Sequence, residues 1–342
     1  MRNVLLSLKL PATCCGESPT VKEKSIFIRS LTPLQATGNA LAVLQFILLL
    51  LLSFTVPLSS AYGASRCVID EVDRKVNIPV FPKKIISCAP NITETLFALS
   101  LKNEIAGVTT FCNYPEEVQT KPKVGGLINL SLETIVSLEP DLVIATADGN
   151  RKEIVDQLQH IGLPVYVINP ESVTEVLDMI SHIGIITGRE REAERLRKNL
   201  EDRTANVLRN AEGLSRPRVF IQVGMETMIS AGRNTFLHEL ITMAGGDNIA
   251  AESALRYPRL GIEEIIAKNP EYIIVSSMKG ENSLVRTKEM WKRWGAISAV
   301  KNDRIYMIDS DIITRPSARI IDGLEELFSI IHPEVSRHSG VN

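Results

Sequence analysis

Leu132-Glu133-Thr134-Ile135-Val136-Ser137-Leu138-Glu139-Pro140-Asp141-Leu142-Val143-Ile144 and Ile262-Glu263-Glu264-Ile265-Ile266-Ala267-Lys268-Asn269-Pro270-Glu271-Tyr272-Ile273-Ile274 are two passages of one chain built on one plan. The leading glutamates stand 263 − 133 = 130 residues apart, and each precedes its proline by seven positions. In each passage a short helix ends at a proline that cannot continue it, and an acidic residue leads into an apolar strand. A double glycine lies upstream of both, Gly125-Gly126 and Gly245-Gly246. The chain therefore reads as two similar lobes.

The surrounding sequence extends the pattern. Before the first passage come a hairpin over 67–80, a strand Lys84–Ser87, a helix opening at Asn91-Ile92-Thr93-Glu94 and a strand Ile105–Val108. After it come helix Lys152–His160 and strand Val165–Ile168. Beyond Arg216-Pro217 the alternation resumes, with strands Val219–Val223, Tyr272–Ser276 and Arg304–Ile308, and it closes on an amphipathic helix Ser317–Ile331. Short Val/Ile strands between helices imply parallel sheets covered on both faces. From Glu171 to Glu212 no proline occurs and apolar residues keep helical spacing, with Gly184 and Gly188 marking an expected break. The fold class is α/β: two lobes with central parallel sheets flanked by helices, joined by a long backbone helix. The expected divisions are 64–170, 171–214 for the link, and 215–342.

Residues 1–63 stand apart. Ala40–Leu58 is nearly all apolar, Lys22, Lys24 and Arg29 precede it, and Ser59-Ser60-Ala61 follows. That order predicts a secretory signal peptide cut after Ala61 or Gly63 and export to the periplasm. The alternative is an uncleaved anchor, since the stretch nearly reaches the ~20 residues that span a bilayer. Arg66 directly before Cys67 does not fit a lipidation box. Cys67, Cys88 and Cys112 remain after export, and either one disulfide or buried thiols fits. The net charge of −2 supplies no global basic field for nucleic acid. The five histidines are scattered and form no triad or metal cluster. No catalytic residues, resident cofactor or metal ligands are expected.

Taken locally, Glu133 and Glu263 are first-turn carboxylates favoured by the helix dipole, worth about 0.3–1 kcal/mol. Their recurrence in two lobes makes them candidate contact points for a basic partner. Over Cys67–Glu334 the chain resembles the cobalamin and ferric-siderophore binding proteins of ABC importers, and is most similar to the cobalamin-type subgroup. The resemblance is carried by Lys84–Ser87 with Asn91–Phe97, Val124-Gly125-Gly126 with Asn129–Glu133, and Glu139–Ile144. It continues in Gly245–Asn248, Trp294–Val300 before Arg304-Ile305-Tyr306, and Arg315–Ile320. It implies two lobes on a rigid helical backbone and a ligand between them. It also implies one glutamate per lobe, at Glu133 and Glu263, meeting arginines of the permease in a permease–ATPase complex. The protein would act as a monomer on cobalamin or a related corrinoid, with any metal arriving inside the ligand.

Ligands of parallel α/β sheets lie beyond the carboxyl ends of the strands. That rule nominates Tyr114, Leu127, Asn129, Asp148 and Met225, with Arg256 and Tyr257 in a nearby loop. Arg315 and Arg319 are candidates to bind a carboxylate, phosphate or amide oxygen; capping or salt bridging near the last helix is the other reading. The chain departs from the cobalamin binders at Leu127, Thr146 and Ile312, where cleft tryptophans are expected, while Trp291 and Trp294 read as helix packing. Haem and ferric siderophores therefore stay open as cargo. The rival classes are a tetrapyrrole chelatase, which needs a His or carboxylate pair in the cleft, and a free-metal binder, which needs several converging ligands.

Overall fold

The computed structural model describes residues 64–224, 228–277 and 283–336. An antiparallel hairpin, β1 (Ser65–Ile69) and β2 (Lys75–Pro79), leads into β3 (Ile85–Ser87), β4 (Ile105–Val108), β5 (Leu142–Thr146) and β6 (Val165–Ile168). These four strands form a parallel sheet ordered β4-β3-β5-β6, with helices α1 (Pro90–Ala98), α2 (Leu132–Ser137) and α3 (Lys152–His160) between them. Helices α4 (Val173–Thr187) and α5 (Glu190–Ala211) then link to β7 (Arg218–Val223), β8 (Asp247–Asn248), β9 (Tyr272–Ser277) and β10 (Ile305–Asp309). This second sheet is also parallel, ordered β10-β9-β7-β8. Its helices are α6 (Phe236–Met243), α7 (Ile262–Lys268), α8 (Ser283–Trp291), α9 (Ser298–Lys301), α10 (Ser310–Thr314), α11 (Ile320–Ile331) and α12 (Pro333–Ser336).

Counted within its own lobe, each sheet runs second-first-third-fourth, so the two lobes share one topology. The paired passages occupy matching places, α2 before β5 and α7 before β9, and in both lobes the following strand is third in chain order. Ile135 and Ile265 are fully buried beneath them. Each helix ends on a residue with positive φ, Glu139 at 49° and Asn269 at 43°, directly before its proline. The acidic residue after the proline also has a shared task. Asp141 accepts the backbone N–H of Lys83 and Lys84 at 2.7 and 2.9 Å, and Glu271 accepts that of Arg218 at 3.0 Å. Each carboxylate thereby satisfies donors at the entrance to the neighbouring strand, which would otherwise lack partners.

One apolar core runs from the first lobe through α4 and α5 into the second, joining Ile92 and Leu96 to Ile180, Leu200, Leu240 and Leu324. Smaller clusters fill the far face of each sheet. The α4/α5 break falls at Gly188 alone, whose φ of +69° is the left-handed conformation that stops a helix. Gly184, expected at the break, lies inside α4, where a Cβ would meet the Cβ of Ala193 at 2.3 Å. Glycine there permits close helix approach and does not interrupt the helix. The hairpin covers the β6 edge: Glu71 donates its N–H to the Val167 carbonyl at 3.0 Å, and Asp70 accepts the Val167 N–H at 3.2 Å. Among the described residues no helix is long and apolar enough to cross a membrane. The expected signal segment lies outside the described residues.

Candidate ligand cleft and docking faces

The carboxyl ends of both sheets face each other. Asn113, after β4, donates to Asp311 of α10 at 2.9 Å, and a cavity of about 210 Å³ is lined by Asp148, Asn169 and Glu171 from one lobe and Phe236 and Arg256 from the other. In this topology strand order reverses between β3 and β5, the place where a crevice opens. Asn150 occupies that point. Its side chain accepts the Thr146 N–H at 2.8 Å and donates to the carbonyls of Cys88 and Leu127 at 3.0 and 2.8 Å. One buried amide thus ties together the loops that follow β3, β4 and β5. Asn248 has a similar task in the second lobe, donating to the Ala231 carbonyl at 2.7 Å and accepting the Ala250 N–H at 3.0 Å.

The loops beyond the carboxyl ends of the strands carry exposed apolar side chains. Phe111, Tyr114 and Ile128 belong to the loops after β4, and Leu255 and Tyr257 flank Arg256 in the second lobe; all are about half exposed or more, from 47% at Tyr114 to 64% at Leu255. Gly232 makes room for this second loop, since a Cβ on it would meet the Leu255 carbonyl at 2.3 Å. The three positions where tryptophans were expected do not add to these exposed side chains. Thr146 and Ile312 are buried, and Leu127 is half-buried against Gly149. Trp291 is fully buried, edge-on to Phe220 and Trp294.

Asn129 is exposed and turns the chain, its carbonyl accepting the Gly126 N–H at 3.0 Å. Asp148, Arg256 and Tyr257 are exposed as well, and Met225 lies outside the described residues. Arg315 and Arg319 have a resident partner. The Glu94 carboxylate, 2% exposed, accepts from Arg315 at 3.0 Å, from Arg319 at 3.4 Å and from the Ser317 hydroxyl at 2.6 Å. Arg315 also reaches Asn113 at 2.6 Å and Asp311 at 2.8 Å, and the Arg319 guanidinium lies 4.0 Å over the Tyr114 ring. Glu94 and Asn113 belong to the first lobe and residues 311–319 to the second, so this network clasps the lobes together. Arg315 and Arg319 thus follow the salt-bridging reading, with Glu94 of the first lobe as their anion. Nothing local in the sequence marks Glu94, which stands 221 positions from Arg315.

Two further groups respond to burial. The Cys88 thiol is pushed up, chiefly by burial and then by neighbouring Cys112, whose Sγ stands 3.1 Å from the hydroxyls of Thr93 and Thr109. Both thiols are free and buried. Glu239 of α6 is held above the usual carboxylate range by burial, although it accepts the Val173 N–H at 3.0 Å. Among the described residues no cluster of three or more His, Cys, Asp or Glu could hold a metal ion. Glu133 and Glu263 are both exposed, in the first turns of α2 and α7.

Residues 85–312 match the family model described as periplasmic binding protein. The chain is 34% identical over 274 residues to the uncharacterised ABC transporter substrate-binding lipoprotein YvrC of Bacillus subtilis, covering 78% of this chain and 85% of that one. It is 29% identical over 254 residues to the vitamin B12-binding protein of Vibrio cholerae, covering 72% and 88%. Among solved structures, that of the periplasmic vitamin B12 binding protein BtuF of Vibrio cholerae superposes with a TM-score of 0.66 at 25% identity, covering 75% and 98%. The periplasmic heme-binding protein RhuT from Roseiflexus gives 0.66 at 27% identity, covering 74% and 99%.

Proposed function

The chain belongs to the periplasmic binding protein family and is an ABC importer substrate-binding protein, and from that premise we propose that its cargo is cobalamin or a related corrinoid. The observation that carries this reading is the set of exposed apolar side chains on the loops of both lobes, beside the cavity between them. Phe111 and Ile128 on one lobe and Leu255 and Tyr257 on the other offer broad apolar contact, with Asp148, Glu171 and Arg256 grouped at one cavity. Ligand sites typically combine such apolar lining with a few placed polar groups. A large ring system with amide-bearing edges fits both. The metal then enters inside its chelate, and the protein contributes shape and polar contacts and no catalysis.

Calorimetric titration with cyanocobalamin, cobinamide, haem and a ferric siderophore tests the assignment. Cyanocobalamin or cobinamide should bind tightest, and Phe111→Ala or Tyr257→Ala should each weaken that binding by about tenfold, the usual cost of truncating an aromatic anchor. Haem binding tighter than either corrinoid would move the assignment to the haem class, a cargo named for one of the solved relatives. Turnover of porphyrin with a metal ion would sink the binding-protein reading altogether.

The same reading sets the mature chain in the periplasm, with Glu133 and Glu263 turned to the permease of a permease–ATPase complex. Exposed ion pairs contribute only about 0.2–1 kcal/mol each, so they orient docking more than they supply its affinity. Glu133→Ala with Glu263→Ala should leave cargo affinity unchanged and lower stimulation of the transporter's ATPase. N-terminal sequencing of exported protein should find a start at Tyr62 or Ala64, and an intact N-terminus would instead mean an anchor.

A further inference from the structure

Most matches between the paired passages have a structural cause. Ile135 and Ile265 are core, the prolines end helices, and Asp141 and Glu271 accept strand-entrance N–H groups. Three aligned positions are exposed in both lobes, and besides the small pair Ser137 and Ala267 two of them keep one chemistry without such a purpose. One is the glutamate. The other is the residue three places later, Val136, 46% exposed, and Ile266, 38% exposed. Residues three apart share one helix face. Valine and isoleucine have no helix-propensity advantage that would recommend them there. Single exposed apolar residues are ordinary, but on the first lobe Val136 has company. Between α2 and α3 a groove of about 560 Å³ is lined by Leu132, Val136 and Ile161, with Glu133 and His160 among its borders. Ile161 is 56% exposed.

We propose that each lobe docks the membrane permease through a carboxylate–aliphatic pair, Glu133 with Val136 and Glu263 with Ile266. On the first lobe the groove between α2 and α3 seats an apolar side chain standing beside the permease's basic one. The proposal rests on the permease-docking reading of the glutamates and adds the chemistry of what surrounds them. Charge selects the occupant. A carboxylate beside the groove repels an anionic bilayer and attracts a basic protein surface. An apolar centre with charge beside it is also how protein interfaces are built, the apolar contact holding the complex and the charges guiding encounter.

The test is docking of the mature protein to its permease–ATPase complex in nanodiscs, measured at low and high salt. Val136→Ser with Ile161→Ser should weaken docking about tenfold, through faster dissociation, by a similar factor at both salt concentrations. Val136→Leu, which keeps the apolar contact, should dock like the parent. Glu133→Gln with Glu263→Gln should weaken docking at low salt and flatten its salt dependence. Cargo affinity should be unchanged in every variant, which reports that each has folded. Parental docking by the serine pair, with the glutamine pair impaired, overturns the aliphatic half and leaves the glutamate reading standing. Parental docking by the glutamine pair overturns the reading beneath it. If the serine pair instead loses binding to protein-free anionic vesicles, the groove serves a lipid surface and the proposal fails.

Discussion

Glu94 is a buried carboxylate held by two guanidinium groups and a hydroxyl from the opposite lobe. Removing one member of a buried ion pair is costly because the remaining charges have lost both water and partner. Glu94→Gln should therefore lower unfolding free energy by about 3 kcal/mol, read from chemical denaturation. Combining it with Arg319→Met should recover part of that loss, because one orphaned charge is gone. Little of this network was legible in advance. Arg315 and Arg319 stand out in sequence as candidate anion contacts, which describes their chemistry, but the anion comes from a helix 221 positions away and residue spacing cannot reveal it. Asn150 is similar: it lies in a loop that the strand-end rule nominates, yet its task depends on carbonyls from two other loops. Asn150→Ala should leave three loops loosely placed and weaken cargo binding several-fold with modest loss of stability, since each hydrogen bond contributes about 0.5–1.5 kcal/mol. Unchanged affinity would show that the cleft keeps its shape without that amide.

At the scale of elements, strands and helices were readable because buried parallel strands and amphipathic helices leave different periodicities. Lys84–Ser87, Asp141–Ala145 and Val165–Ile168 lie on or beside observed strands β3, β5 and β6. What periodicity could not supply was the role of a glycine. Gly184 and Gly188 look alike in sequence, but only Gly188 has the left-handed φ, while Gly184 marks where α5 crosses closely. Gly184→Ala, which in an open helix would be favourable by about 1 kcal/mol, should here destabilise, because the added methyl falls on the Ala193 side chain. Thermal melting settles the sign. The joint between α4 and α6 carries a second expectation. Burial raises the Glu239 carboxyl above its unfolded value, so its ionised form is disfavoured in the fold. A group of that kind favours the fold at acid pH, below the unfolded value, and that contribution disappears as pH rises through the folded one. Glu239→Gln keeps an acceptor for the Val173 N–H without the charge. Its melting temperature should exceed that of the parent at neutral pH, and the advantage should shrink as pH falls into the carboxylate range.

Across the whole molecule, two repeated lobes follow from the sequence, but how firmly they are set against each other does not. Domains joined only by a small polar interface move freely. Here the core is continuous through α4 and α5, Arg189 of the linker pairs with Glu104 of the first lobe at 3.1 Å, and Arg203 pairs with Glu325 of the second at 2.5 Å. A 22-residue helix such as α5 spans about 33 Å, enough to brace both lobes along one side. The Glu94 network adds a second, polar attachment between residues 94–113 and 311–319. Two attachments leave little freedom for a hinge, so the cleft is built at nearly its working width. The proposed docking would need the same rigidity, since Glu133 and Glu263 could meet one permease together only if the distance between them is kept. Cyanocobalamin at saturation should change the radius of gyration in small-angle scattering by about 1 Å or less, in keeping with partners that bind nearly preformed. Glu94→Gln should enlarge the ligand-free radius and make the change on binding larger. A wide closure in the parent protein would show that the clasp yields to the cargo.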